Sequence, residues 1–373
     1  MADTTGVVVK VTAVEVFLLH ERFVIVKLTG SDGTAGWGSA AFHGGETTAR
    51  IAARLGNELI GRNAFAVEAN WQDLFRKGYR LGTTGSHMAA LGGLDIALWD
   101  LKGRVLSAPV WELLGGRIRD RVPMYSSLMK RGLPAAEEIE RVARRMEQGY
   151  RAVKFHTGVH WGLGAGDDNT VEIVGAVRDA FGGRKNLEIM VDLNHAYTVS
   201  DAIRVGRKLE GLEVTWMEEP IAPWDYAGYD RLQHALDLPI AAGEQEYNLW
   251  QFRDLMTVAH VDVVQPNITS CGGFTQGKKI AALAEAFNVP LHFHNTEPTL
   301  TTAAHLHLWA TSPMCGGVHE YYGEDEHPLR DVTPLLAEPL DVVNGHLAVP
   351  DGPGLGVEVD EALVRRVGAL VTP

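Results

Sequence analysis

The chain has 373 residues, a net charge of −13 and 46% hydrophobic content. That is length for one large domain and a smaller one, with apolar residues enough for a sizeable core. The acidic balance argues against nucleic acid or an anionic membrane surface as partner, and no apolar run reaches membrane-spanning length.

In chain order, Val7 to Phe17 partly alternates and is rich in valine. After a polar break at His20-Glu21-Arg22, Phe23 to Thr29 reads as a second strand. Gly30-Ser31-Asp32-Gly33 signals a turn, and Thr34 to Ala40 returns as a third. Helical patterns follow over Glu46 to Ile60, Val67 to Arg76 and Ser86 to Val105, the last with a wide apolar stripe. Residues 1–120 therefore read as an α+β domain. From Val122 the rhythm changes. Strand-like runs near 122, 151, 187, 213, 239, 261, 289 and 317 alternate with helical segments, among them Pro134 to Glu147, Ser200 (read as an N-cap) to Leu209, and Gly273 to Phe287. Eight strands alternating with helices imply parallel pairing and a closed barrel over 121–330. Residues 331–373 are turn-rich and are expected to pack back on the first domain. Cys271 and Cys315 are too few for a disulfide framework and read as buried small hydrophobes. No cationic, apolar leader is evident, so a cytoplasmic protein is expected.

Three acids organise the barrel. Asp192, Glu218 and Glu244 each end a strand-length apolar run and stand 26 residues apart. One βα unit takes roughly 25–30 residues. The three would thus stand at the C-terminal ends of consecutive strands, where barrel active sites lie. Converging carboxylates repel one another unless a cation sits between them, and oxygen-only donors suit a hard divalent ion, most often Mg²⁺.

Several segments together carry a family resemblance: Gly92-Gly93-Leu94-Asp95-Ile96-Ala97-Leu98-Trp99-Asp100-Leu101-Lys102-Gly103, Trp216-Met217-Glu218-Glu219-Pro220, Ala242-Gly243-Glu244, Gly272-Gly273 and Pro353-Gly354-Leu355-Gly356. In these the chain resembles the enolase superfamily, in its mandelate racemase-like subgroup. The resemblance implies a (β/α)₇β barrel under an N-terminal α+β capping domain completed by the C-terminal segment. It also implies one Mg²⁺ on Asp192, Glu218 and Glu244. Enolase-superfamily sites are a worked example of a Lys or His base combined with Mg²⁺.

Removing the proton α to a carboxylate loads a second negative charge on an anion, which a divalent ion and a further cation offset. Lys154 is the expected source of that cation. It lies two residues before His156 on the second strand, so both face the barrel mouth. Where the family usually has Lys-x-Lys, this chain has Lys154-Phe155-His156. By its place in the pattern, His294 matches the family's acid/base on the opposite face, and Glu320 matches a position that hydrogen-bonds the substrate carboxylate. The family often pairs that histidine with an aspartate, and here the place holds Asn267. Asparagine favours neutral imidazole. That weakens a racemase, which needs a competent base on each face, and is compatible with a lyase. Which of Lys154, His156 and His294 is base and which acid stays open at this point. Asn194 is expected near the metal, and His195 against a loop. His20, Arg22 and His43 of the capping domain, with Trp161 after the second strand, are expected to shape a polar pocket. The expected function is Mg²⁺-dependent dehydration of a sugar acid, an aldonate or aldarate, to a 2-keto-3-deoxy acid. A racemase, epimerase or cycloisomerase is the first rival and an inert metal-binding relative the second. The expected partner is a small-molecule carboxylate, with homo-oligomeric assembly.

Overall fold

The computed structural model describes residues 8–40, 44–158, 168–295, 297, 299–322 and 335–372. Three strands open the chain: β1 (Val11–Leu19), β2 (Phe23–Gly30) and β3 (Ala35–Ala40), paired antiparallel in sequence order. Helices α1 (Gly45–Asn57), α2 (Val67–Gly78), α3 (Ser86–Val105) and α4 (Val110–Leu113) follow. The alternating unit then runs β4 (Arg121–Leu128), α5 (Ala135–Glu147), β5 (Ala152–His156), α6 (Thr170–Phe181), β6 (Glu188–Asp192), α7 (Val199–Glu210), β7 (Met217–Glu218), α8 (Tyr226–Ala235), β8 (Ile240–Ala242), α9 (Leu249–Thr257), β9 (Val263–Val264), α10 (Gly273–Phe287), α11 (Leu300–Thr311) and β10 (His319–Tyr321). β11 (His346–Ala348), α12 (Glu361–Val367) and β12 (Gly368–Leu370) end the chain.

Strands β4 to β9 pair parallel in sequence order, and β10 returns parallel to β4. The strand expected near 289 is reduced to one parallel bridge, Leu291 to Val264. Its ladder with β9 continues as His292 N to Val264 O and His294 N to Pro266 O, at 3.0 and 3.1 Å. Toward β10 the link is made largely by side chains, with Asn295 bonding the Glu320 carbonyl and carboxylate. The curled parallel sheet with helices outside is an α/β barrel of the TIM type under a capping domain. Alternation sorts each strand. Tyr125, Ala152, Met190, Trp216, Ala241 and Val263 form one inward apolar layer. The next inward positions toward the C-terminal end are Lys154, Asp192 and Glu218. No helix among the described residues is long and apolar enough to cross a membrane.

The capping helix α3 is buried along almost its whole length. It lies on β3 because Gly36 and Gly38 have no side chain; a Cβ there would meet Ala97 O at 2.4 Å and Gly93 O at 2.2 Å. Its two aspartates act as long-range caps. Asp95 accepts from Thr275 N (2.9 Å) and Thr275 Oγ1 (2.5 Å), holding the first turn of α10. Asp100 accepts from Trp37 N (2.8 Å), Leu355 N (2.7 Å) and Arg104 Nε (2.9 Å), tying the Pro353–Gly356 turn to the capping domain. β12 adds to the same unit by pairing antiparallel with β1, while β11 pairs with β4. One boundary moves: the N-cap of α7 is Thr198, whose hydroxyl accepts from Asp201 N at 3.2 Å, and Ser200 lies inside the helix.

Candidate metal centre and active site

Strand register brings the acids together. His156 pairs with Asp192 across β5 and β6, and Asp192 with Glu218 across β6 and β7. Glu244 follows β8 after Gly243, whose φ of +133° bends the chain into the mouth. One oxygen from each of Asp192, Glu218 and Glu244 lies within 4.8 Å of the others. Burial raises Glu244 to about 7, helped by the Asp192 charge and opposed by Lys154. Burial likewise raises Glu218, against the pull of Lys154. Burial also opposes ionisation of Asp192, but His156 and Lys154 hold it well below the usual carboxylate range. Three acids this close, two buried and Glu244 partly so, resist sharing full charge, and a hard divalent cation offsets that repulsion. The donor set fits such an ion.

Lys154 is fully buried, with Nζ 2.6 Å from Glu218 Oε1, 2.9 Å from Glu320 Oε1 and 3.6 Å from Asp192 Oδ2. Burial disfavours its charge, but Glu218 and Glu320 outweigh burial and keep it cationic. Glu320 Oε1 also accepts from Ser127 Oγ at 2.7 Å, and its Oε2 accepts from Asn295 N at 2.9 Å. Burial works against ionised Glu320, yet Lys154 brings it below its ordinary value. Glu320 is therefore an acceptor whose oxygens are already engaged, an arrangement that favours holding Lys154 over donating to a substrate.

The two site histidines are oriented oppositely. His156 Nδ1 faces Leu128 O at 3.2 Å, a carbonyl that can only accept, so Nδ1 carries a hydrogen. Its Nε2 lies 3.1 Å from Asp192 Oδ2. His294 Nδ1 faces Asn267 Nδ2 at 3.0 Å. Asn267 Oδ1 is taken by Thr269 N (2.9 Å) and Thr269 Oγ1 (2.7 Å). A backbone N–H only donates, so the network puts the amide NH₂ toward His294. His294 Nδ1 is then an acceptor and its hydrogen sits on Nε2, 3.1 Å from Glu244 Oε2. Burial also lowers the His294 pKa, partly opposed by Glu320.

Other expected residues fall in several places. Asn194 N donates to Asp192 Oδ1 at 3.0 Å, and its side-chain oxygen accepts from Arg131. His195 turns inward, with Nε2 3.0 Å from Glu219 Oε2, and these two with Glu244 form a second close group of ligand atoms. Strand alternation does not reveal this, because Asn194, His195 and Glu219 have φ of +38°, +66° and +39° and leave the extended path. His20 and Arg22 are exposed on the turn between β1 and β2. His43 and Trp161 lie outside the described residues. Sequence reasoning missed Arg131, Gln265 and Trp216. The last two donate to Glu218 Oε2 at 2.7 and 3.2 Å and fix that carboxylate. An inward tryptophan two residues before a strand-end acid was a usable signal for Trp216.

Comparison with known proteins agrees with this fold. Residues 137–363 match the model described as enolase C-terminal domain-like, and residues 7–115 match the mandelate racemase / muconate lactonizing enzyme N-terminal domain. The chain is 32% identical to a D-galactarolactone cycloisomerase of Agrobacterium fabrum, over 94% of this chain and 97% of that protein. It is 31% identical to a D-galactonate dehydratase family member of Streptomyces bingchenggensis, over 95% and 92% of the two. A mandelate racemase/muconate lactonizing protein of Paracoccus denitrificans, solved in complex with magnesium, superposes with a TM-score of 0.89 at 33% identity and 98% coverage of both chains. The chain belongs to the mandelate racemase / muconate lactonizing enzyme family of the enolase superfamily.

Proposed function

We propose that the protein is a Mg²⁺-dependent lyase that removes the proton α to the carboxylate of a sugar acid and expels the β-oxygen. Acting on an aldonate or aldarate, it would give a 2-keto-3-deoxy acid. One observation carries this reading: Asn267 presents its NH₂ to His294 Nδ1. A racemase needs a base on each face of the substrate. Protonating His294 would set an N–H against the Asn267 NH₂, so His294 serves as a hydrogen-bond donor through Nε2 and not as a second base. Elimination needs only one base.

A divalent cation held by Asp192, Glu218 and Glu244 would supply Lewis-acid charge at the substrate carboxylate. Lys154 adds a fixed positive charge inside the barrel, worth more there than in water. His156 Nε2 accepts the α-proton, since its Nδ1–H is committed to Leu128 O. The same proton on Nε2 is then available to the departing oxygen. His294 Nε2–H and Lys154 stabilise the anion formed between these steps.

The relative named a D-galactarolactone cycloisomerase favours a second reading. In it the same abstraction is followed by departure of a ring oxygen that stays tethered. Mass spectrometry of products from an acid-sugar and lactone panel with Mg²⁺ separates the two. A keto acid lighter than its substrate by one water supports dehydration, and a keto acid of unchanged mass supports ring opening. Epimerised substrate with no keto acid would overturn both.

A further inference from the structure

The loop after β4 holds a cation that the mechanism leaves unused. Its neighbours are anchored: Lys130 O accepts from Arg141 Nη1 at 3.4 Å, Leu133 is buried, and Leu133 O accepts from Asn169 Nδ2 at 3.2 Å. Gly132, at φ +69°, makes the turn between them. Arg131 is thereby brought over the C-terminal mouth, where Nη1 donates to Thr157 O and Nη2 to Asn194 Oδ1. Asn194 in turn donates through its backbone to the metal-triad residue Asp192. Both acceptors of Arg131 are neutral oxygens. Among the described residues, no carboxylate is paired with it.

A half-buried guanidinium with only neutral partners has lost water without gaining an anion. Burial draws its pKa below the ordinary value, although Asp192 and Glu244 pull the other way. Two of its five N–H donors are engaged in these contacts, which leaves capacity for a further planar acceptor. The guanidinium fork matches a carboxylate in two parallel hydrogen bonds. Lys154 is already paired with Glu218 and Glu320, which leaves Arg131 as the cation suited to a second substrate anion.

We propose that Arg131 binds a second carboxylate at the far end of the substrate, so that the preferred substrates are dianionic sugar diacids, the aldarates, over monoanionic aldonates. This rests on the acid-sugar elimination reading above. The test is steady-state kinetics with Mg²⁺ on six-carbon aldarates and aldonates of matching configuration, galactarate and galactonate being one pair. Wild type should show the higher kcat/KM on the diacid. Arg131→Met should lose about 10- to 100-fold on the diacid, mainly through KM, and far less on the monoacid. Arg131→Lys should recover part of the loss. Equal losses on both classes would overturn the proposal, because Arg131 would then act only through Asn194 and Asp192. A wild-type preference for the monoacid would overturn it as well. Thermal shifts of the Mg²⁺-loaded wild type and of Arg131→Met with the same pair read the point from binding alone. A larger stabilisation of wild type by the diacid that Arg131→Met loses upholds the proposal; an equal one, or one that the variant keeps, overturns it. No turnover of any sugar acid would instead refute the elimination reading, leaving the thermal shifts to decide Arg131 alone.

Discussion

His294 Nδ1 lies 3.0 Å from the amide nitrogen of Asn267, and Thr269 holds that amide in place through its backbone N–H and its hydroxyl. The pair fixes which nitrogen of the imidazole carries the hydrogen. Asn267→Asp would place an acceptor against Nδ1, move the hydrogen there and free Nε2 to take a proton. We expect this variant to gain α-proton exchange on the His294 face while the overall elimination rate falls by roughly tenfold or more. Proton NMR in D₂O, comparing exchange into recovered substrate and its epimer, reads both effects. Unaltered exchange would remove Asn267 from control of His294.

Glu244→Gln should abolish metal binding and activity together. It removes one of three charges from a set whose oxygens lie within 4.8 Å. With Mg²⁺ at 100 times its dissociation constant, wild type gains about 2.7 kcal/mol of stability and the variant gains nothing comparable. Thermal melts with and without Mg²⁺ measure this. Retained turnover would show that the metal sits elsewhere.

Much of this was legible in the sequence, for a physical reason. Asp192, Glu218 and Glu244 end apolar strands of a repeating unit, and a repeat of fixed length places strand ends on one rim whatever the helices between them do. Lys154 and His156 were legible because alternation within a strand is local. What the sequence hid depends on backbone that leaves regular structure. His195 meets Glu219 only because both adopt left-handed φ. Arg131 reaches Asn194 from a loop whose path depends on Gly132 and a buried Leu133. Asn267 was visible as a departure from the family pattern, but the orientation of its amide is set by Thr269 and needed the structure.

The capping helix gives a pH test. Asp95 is fully buried, and burial raises it to about 7, against the two bonds from Thr275. Its unfolded value is near the ordinary 3.8. Between those values the folded state binds the extra proton, so stability falls as pH rises from about 4 to about 7, at up to about 1.4 kcal/mol per pH unit, and is level above. Asp95→Asn keeps an acceptor for Thr275 N and can donate to Thr275 Oγ1. We expect its melting temperature to gain on wild type from pH 5 to pH 8. A constant difference across that range would mean that Asp95 stays ionised in the fold.

His156 and His294 can be separated by what each removal spares. His156→Gln should lose α-proton abstraction altogether, so that neither product nor exchanged substrate appears, because Nε2 of His156 is the proposed acceptor and its partner nitrogen is tied to Leu128 O. His294→Asn keeps a donor near Glu244 but shortens its reach. Turnover should fall by about 10²–10³, the range for loss of one oriented donor to a developing anion, while Mg²⁺ binding persists. Slow exchange of the α-proton should survive in this variant, since the proposed base, His156, is untouched. The combination of melts with Mg²⁺, product formation and NMR exchange thus gives each histidine its own signature. Exchange that survives in His156→Gln and vanishes in His294→Asn would reverse the assignment, making His294 the base despite the amide nitrogen facing its Nδ1.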